Sequence, residues 1–513
     1  MNIAMIPEMA AEAGSERVAF GDGHQGLTYG ELWNRSRRAA GWLRDYDADN
    51  VVMIGTNSTL LPIALFGAAL ADRPFCPLNY RWTDRELVDA VNRLGSAVVI
   101  ADEVMRPRLS GLARKRGVEV VGRKRFLAEI CHSDSVAVNG AQPTRPAVLL
   151  FTSGTSGAPK VAILEHSNLT SYILGTVELM ANTEEEAQLV SLPPYHVGGI
   201  ANLLSTLYSG RRIVQMETFD PTGWIDAVRR CDITHASVVP TMLARIVALL
   251  GADGSGGLPT LRHLSYGGGR MPVPVLQEAM RMLPDTDFVN GYGLTETSST
   301  ITVLDPSDHR LARSSEDPTV RARLGSVGRA LPTVELSVRD CDGNPVAPGE
   351  IGELWVRGDQ VAGHYLGVGH GRDADGWFRT KDAVRMDGDG YVFVEGRLDD
   401  VIVRGGENIS PGEVEDALLN HPDVQDAGVA GIPDEEWGEQ IAAAVVAIPG
   451  RTIDLAQLRE FVREHLRSSK TPSMIHVVDA LPYNDNGKLV RRKLREELAL
   501  SAQQRAPSAR RAD

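Results

Sequence analysis

Short apolar runs alternate with amphipathic stretches through the N-terminal part of the chain, and this alternation limits the architectures open to it. The runs 51–54, 97–101, 147–151, 235–239 and 288–290 are brief and stop at turn or polar residues. Between them, 29–43 and 84–94 carry apolar residues at helical spacing. Strand and helix signals in turn predict an α/β architecture with largely parallel sheets. The longest apolar stretch, 60–71, is shorter than the ~20 residues a bilayer span requires, and reads as a buried helix.

The pattern changes twice. From about 325 to 395, short strands (334–338, 352–356, 391–394) lie between DG and GD turns, which predicts a small antiparallel β-unit. Asp387-Gly388-Asp389-Gly390 resembles the opening of a calcium loop, but the later acidic ligands are missing, so it reads as a hairpin turn. Beyond Arg397 a further pattern starts. Ser410-Pro411-Gly412-Glu413 predicts a capped helix start with Ser410 at the N-cap, and strands at 424–430 and 441–447 and a helix at 455–466 follow. We place a domain boundary at about 398, giving an N-terminal domain 1–398 and a C-terminal domain 399–500. The polar, Arg-rich segment 501–513 reads as a disordered tail.

Length and composition agree with this. The chain has 513 residues, enough for two to four domains, and its 43% apolar and 23% charged content is ordinary for globular proteins. The net charge of −14 argues against a chain-wide nucleic-acid or anionic-membrane binder, since both need basic surface. Four scattered cysteines with no C-x-x-C pair argue against thiolate zinc sites and a disulfide framework, and favour a cytoplasmic setting. Residues 1–14 lack the basic start and long apolar core of a signal peptide.

Thr152-Ser153-Gly154-Thr155-Ser156-Gly157-Ala158-Pro159-Lys160 follows the 147–151 run directly. Glycines let backbone N–H groups converge on an anion, hydroxyls donate further bonds, and lysine adds charge, so this is a phosphate cradle without the Walker A spacing. Ser265-Tyr266-Gly267-Gly268-Gly269 and Asn290-Gly291-Tyr292-Gly293-Leu294-Thr295-Glu296 are further strand-to-glycine turns. A tyrosine between glycines can lie against a base, and Thr-Glu can hold a phosphate and Mg²⁺. Asp382 could accept both hydroxyls of a ribose. Gly405-Gly406 follows the boundary, and Lys488 lies on a turn in Pro482-Tyr483-Asn484-Asp485-Asn486-Gly487-Lys488.

In this order the segments resemble the acyl-adenylate-forming superfamily, in its acyl-CoA synthetase branch, from Leu27 to Lys488. The resemblance implies a large N-terminal domain of packed sheets with a small β-barrel-like unit, hinged to a small C-terminal α+β domain. It implies activation of a carboxylic acid by Mg·ATP as acyl-AMP, then transfer to coenzyme A after domain rotation. Carried over by motif, Thr152, Ser153, Gly154, Thr155, Ser156, Gly157 and Lys160 form the phosphate loop. Gly267, Gly268, Gly269, Asn290, Gly291, Tyr292 and Gly293 line the nucleotide site, with Tyr292 stacking on adenine. Thr295 touches the α-phosphate, Glu296 holds Mg²⁺, Asp382 holds the ribose, and Arg397 lies near ribose and phosphate. Tyr195, His196, Val197, Gly198 and Gly268 bound the acyl site, with His196 at its mouth. Asp399 is the hinge, Gly405 and Gly406 face coenzyme A, and Lys488 is the adenylation lysine. Glycines 198, 199, 267 and 268 point to room for a bulky or cyclic acid.

Three residues depart from the family pattern: Val161 replaces a glycine, Glu165 a threonine, and Lys381 the glycine of Arg-Thr-Gly-Asp. A β-branched residue takes positive φ at a penalty, and a carboxylate near the phosphate loop would repel pyrophosphate. These changes suggest a second reading, an enzyme that only converts preformed acyl-AMP to acyl-CoA and relies on a separate adenylating partner. A third reading is an adenylation enzyme that loads a carrier protein, and a fourth an adenylate-binding sensor without turnover. A homodimer is compatible with each.

Overall fold

The computed structural model describes all residues except 24, 113–116, 138–141, 153–159, 254–256, 435, 485–486 and 506–513, and the statements below concern the described residues. Two large sheets carry the N-terminal part. One has nine strands in the order Arg329–Ala330, Ser299–Leu304, Asp287–Leu294, His263–Gly267, His235–Val238, Ala187–Val190, Arg212–Gln215, Val18–Phe20, Leu27–Thr28. Its central strands run parallel. The other has eight strands and includes Pro146–Thr152, Asn50–Ile54 and Ala97–Ala101.

Helices fill the space beside the sheets, and their sequences explain why. Tyr29–Leu43 and Asp84–Leu94 are amphipathic, begin at Thr28 and Thr83 in capping boxes, and bury one face. Leu60–Leu70 is apolar all round and every residue in it is buried, as such a helix must be. No helix is long and apolar enough to cross a membrane.

The β-unit is a four-stranded antiparallel sheet, Val334–Arg339, Ile351–Gly358, Phe378–Met386 and Val392–Arg397. Asp387–Gly390 is its hairpin turn: Asp387 Oδ1 accepts from the amides of Asp389 and Tyr391. A separate sheet begins at Ile402, and its two apolar cores draw only on residues from Ile402 onward.

Two local expectations fail for tertiary reasons. Ser410 precedes the helix Pro411–Leu419, but its hydroxyl donates to the Glu395 carbonyl at 2.9 Å instead of capping the helix, while Glu413 pairs with Lys470. An open carbonyl at the end of the preceding sheet outcompetes the local cap. The helix Arg491–Arg505 extends into the start of the segment expected as a tail from 501, and 506–513 lie outside the described residues.

Lys381 sits inside the strand Phe378–Met386 at φ 61, in the left-handed region. This is a conformation glycine takes freely and an L-residue at a penalty of about 1–2 kcal/mol. Its side chain is exposed, so nothing in the packing requires a lysine there. Lys381→Gly should therefore raise unfolding stability in a denaturant melt by about 0.5–1 kcal/mol after the added chain entropy of glycine. Lys381→Val should lower it by a similar amount or more. Equal melts for all three side chains would show that the turn carries no strain.

Candidate active site

The carboxylate of Asp382 is 5% exposed and held from two sides. Tyr292 Oη donates to Asp382 Oδ2 at 2.5 Å, and Arg397 Nε lies 3.1 Å from Oδ1. Arg397 also donates to the Thr380 carbonyl at 2.7 Å. Three separate sequence motifs thus meet in one cluster. Burial raises the Asp382 carboxyl above its ordinary value, against the opposing pull of Arg397. Burial, and then the Asp382 charge, also push the Tyr292 phenol up, so it stays a donor.

Lys488 approaches the same cluster from the C-terminal part. Its amide donates to Asn484 Oδ1 at 3.0 Å, in a turn where Gly487 has φ 69. A Cβ at Gly487 would lie 2.2 Å from Thr241 Oγ1, so both conformation and close approach demand glycine here. The lysine keeps exposed surface but stands in a cleft walled by both parts of the chain. Burial first, and then Arg397, lower its pKa, while Asp382 and Glu296 oppose that shift.

Glu296 lies in the turn Thr295–Thr297 and accepts from Tyr365 Oη at 2.6 Å through Oε1. The ammonium of Lys160 stands 5.0 Å from the Tyr365 ring centroid, so the residue that closes the 152–160 segment reaches the same place. Ser298 and Ser299, at φ 55 and 112, follow immediately. Consecutive non-glycine residues in this region mark stored strain beside Glu296, which no sequence motif signalled.

The other expected residues take these places. Thr152 and Lys160 end and begin adjacent antiparallel strands, while Ser153, Gly154, Thr155, Ser156 and Gly157 lie outside the described residues. A Cβ on Gly267 would meet the Gly291 carbonyl at 2.3 Å, so the two glycine turns touch. Gly268 and Gly269 continue past the strand end as exposed residues, and Gly293 pairs with Thr300. Asn290 is turned into the packing, its amide donating to the Ser326 carbonyl, and so presents only backbone to the cleft. His196 precedes the helix Val197–Ser209 with its ring 4.5 Å from that of Tyr195, beside Gly198. Asp399 is exposed in the turn Leu398–Asp400. Gly405 and Gly406 form the turn between Ile402–Arg404 and Glu407–Ile409, against an exposed Trp437.

The structure relocates two of the departures. Val161 has extended strand geometry, is 1% exposed, and packs in a core cluster, so it bears no strain. Glu165 is at the opposite end of the strand Lys160–Glu165, roughly 16 Å from Lys160 at ~3.3 Å per residue. There it lies 3.6 Å from His364 Nδ1 and accepts from Ser167 Oγ at 3.3 Å. Strand direction thus carries the Glu165 carboxylate away from Lys160.

An ion pair crosses the seam between the two parts: Arg270 Nη2 lies 2.6 Å from Asp416 Oδ2. Arg270 follows the 267–269 glycines, and Asp416 lies on the helix Pro411–Leu419. Burial outweighs the pairing and pushes the Asp416 carboxyl up to about 6.

Comparison with known proteins gives a consistent picture. The AMP-binding enzyme family matches residues 7–366, and its C-terminal domain matches 413–488. A fatty acid–[acyl-carrier-protein] ligase of Streptomyces coeruleorubidus is 31% identical, over 92% of this chain and 91% of its own length. A 2-succinylbenzoate–CoA ligase of Bacillus licheniformis is 32% identical, over 94% and 98%. Among solved structures, o-succinylbenzoate CoA synthetase of Bacillus subtilis with its acyl-adenylate has a TM-score of 0.82 at 27% identity, covering 100% of this chain and 99% of that one. ATP-bound MatB of Rhodopseudomonas palustris has a TM-score of 0.86 at 27% identity, covering 97% and 99%.

Two outcomes follow. Arg270→Ala leaves Asp416 desolvated and unpaired, so hydrogen exchange in Pro411–Leu419 and around Lys488 should speed up several-fold while the rest of the N-terminal part is unchanged. Unchanged exchange would mean the ion pair does not hold the seam. Val161→Gly removes a buried side chain and should lower stability by about 2–4 kcal/mol, and combined with Glu165→Thr it should not increase acid-dependent pyrophosphate release. A gain in release would restore the electrostatic argument against these two residues.

Proposed function

The chain belongs to the AMP-binding enzyme family, and on that premise we propose that it joins a carboxylic acid to coenzyme A through an acyl-adenylate. It is an AMP-forming acid–thiol ligase. The observation that carries the reading is the convergence of Lys488, Asp382, Arg397 and Glu296 in one cleft.

In the first step a carboxylate oxygen attacks the α-phosphorus of ATP, the bond to the bridging oxygen breaks, and pyrophosphate leaves. Negative charge spreads over the reacting oxygens, and a fixed ammonium at that point lowers the barrier. Lys488 supplies it. Asp382, held rigid by Tyr292 and Arg397, accepts from the ribose hydroxyls and fixes the nucleotide, so that the α-phosphorus is presented in line. Tyr292 also offers a ring face to the base. Glu296 has one oxygen engaged by Tyr365 and one left for a cation, and a single carboxylate plus nucleotide phosphates is an ordinary Mg²⁺ donor set. The ion would neutralise phosphate charge.

In the second step the thiol sulfur of coenzyme A attacks the acyl carbon, the carbon–oxygen bond to AMP breaks, and the thiol proton passes to solvent. Lys488 has no part in this. Rotation at Asp399 would withdraw it and bring Gly405 and Gly406 to the cleft, where small residues leave room for the pantetheine arm. Support for coenzyme A as acceptor comes from relatives named as CoA ligases, including a feruloyl-CoA synthase 32% identical to this chain. The docked Lys488 and the remote Glu165 favour a complete enzyme over one that begins from acyl-AMP.

The test supplies either acid, Mg·ATP and coenzyme A, or synthetic acyl-AMP and coenzyme A. Thioester from both is expected, and thioester from acyl-AMP alone would overturn the first step. If only a carrier protein accepts the acyl group, the acceptor assignment fails. Lys488→Ala should lower the first entry roughly 10²–10³-fold or more and spare the second. The lysine pKa is lowered, so its charge is lost earlier as pH rises. The kcat/KM of adenylation should therefore fall on an alkaline limb below the ordinary lysine range, while thioester formation from acyl-AMP lacks that limb. The same limb in both steps would remove Lys488 from its assigned role.

A further inference from the structure

Glu296 is fixed at both its backbone and its side chain by one short segment. The amides of Ala362 and Gly363 donate to the Glu296 carbonyl at 2.9 and 3.2 Å. Two residues further on, Tyr365 Oη donates to Glu296 Oε1 at 2.6 Å. Tyr365 is held in turn by the eight-stranded sheet. It lies opposite Ala162 where the strand His364–Tyr365 pairs with Lys160–Glu165. The next amide, of Leu366, donates to the Val161 carbonyl at 2.9 Å. The Lys160 ammonium over the Tyr365 ring restrains it on another side.

A carboxylate gripped in this way cannot turn to offer both oxygens. The tyrosine bond occupies Oε1 and leaves Oε2. Among the described residues no group of three or more His, Cys, Asp and Glu side chains could hold a metal ion. A cation bound with the nucleotide here therefore depends on that one oxygen and on the phosphates. Divalent cations differ in what they need from such a donor. Mg²⁺ is small, demands octahedral geometry, and is satisfied by one carboxylate oxygen with phosphates and water. Ca²⁺ is larger, takes about six to eight oxygens, and often draws two of them from one bidentate carboxylate.

We propose that Tyr365 is a positioning residue that sets the cation preference of the adenylation step. By holding Glu296 Oε1 it confines the carboxylate to one ligand oxygen, which suits Mg²⁺ and penalises Ca²⁺. The proposal rests on the ligase reading above, in which Glu296 receives the cation that accompanies ATP.

The experiment measures binding instead of turnover. Calorimetry follows α,β-methylene-ATP, which cannot release pyrophosphate, binding to the full chain with saturating Mg²⁺, with saturating Ca²⁺, or with a chelator. The proteins are the wild type, Tyr365→Phe and Glu296→Gln. The wild type should bind the Mg²⁺ complex more tightly than the Ca²⁺ complex. Tyr365→Phe keeps the ring and removes one hydroxyl, so Oε1 is released. The Ca²⁺ complex should tighten, the Mg²⁺ complex should loosen, and the ratio of the two should narrow roughly 10-fold. Glu296→Gln should bring both affinities toward the value in chelator. An unchanged ratio in Tyr365→Phe, or an equal loss with both cations, would overturn the proposal, because a merely structural hydroxyl would move both alike. Nucleotide binding that ignores the cation would overturn it too, while leaving the ligase reading in place. Failure of the wild type to bind the nucleotide at all would bring down the ligase reading, and the proposal with it.

Discussion

The buried Asp382 carboxylate, held between Tyr292 and Arg397, is the contact on which the rest of the arrangement depends. Tyr292 belongs to the nine-stranded sheet, Asp382 to the β-unit, and Arg397 to the last strand before the turn that leads to the C-terminal part. One carboxylate thus fixes two layers of the N-terminal part to each other and to the turn Leu398–Asp400 that leads into the C-terminal part. A buried charge is tolerated only when paired and hydrogen-bonded, so removing either partner would leave a large desolvation penalty. The same constraint makes the group useful, because a carboxylate that cannot reorient presents its oxygens to a ligand in one geometry.

Lys488 works on the opposite principle. It reaches this cluster from a short turn braced by Gly487 against Thr241, and the seam around it is held by few polar contacts, among them Arg270–Asp416 and Ser410–Glu395. Burial disfavours the charge on Asp416 even with its arginine in place. These contacts set Lys488 beside Asp382, Arg397 and Glu296.

One helix meets the nine-stranded sheet through a polar contact. The helix Val197–Ser209 lies over a sheet whose face carries serines and glycines instead of large apolar groups. Asn202 Nδ2 donates to Ser237 Oγ at 2.8 Å where the two meet.

Much was legible along the chain. Apolar runs at 97–101 and amphipathic stretches at 29–43 and 84–94 became the expected elements, because their period and caps are local properties. The glycine turns and Lys488 were visible as motifs for the same reason. What local pattern could not carry was partnership across long separations. Ser410 found a carbonyl fifteen residues away instead of its own helix, and Glu165 was carried down a strand to His364. The Asn202–Ser237–Ser265 tie joins a helix to two strands and has no sequence signature at all. By itself the sequence determined the alternating architecture, the family and the set of reactive side chains, since these depend on residue type and short-range order. Only the tertiary structure decided which carboxylate was paired, where Val161 and Glu165 lie, and which polar groups tie a helix to the sheet, since burial and hydrogen-bond partnership are set by segments that meet only after folding.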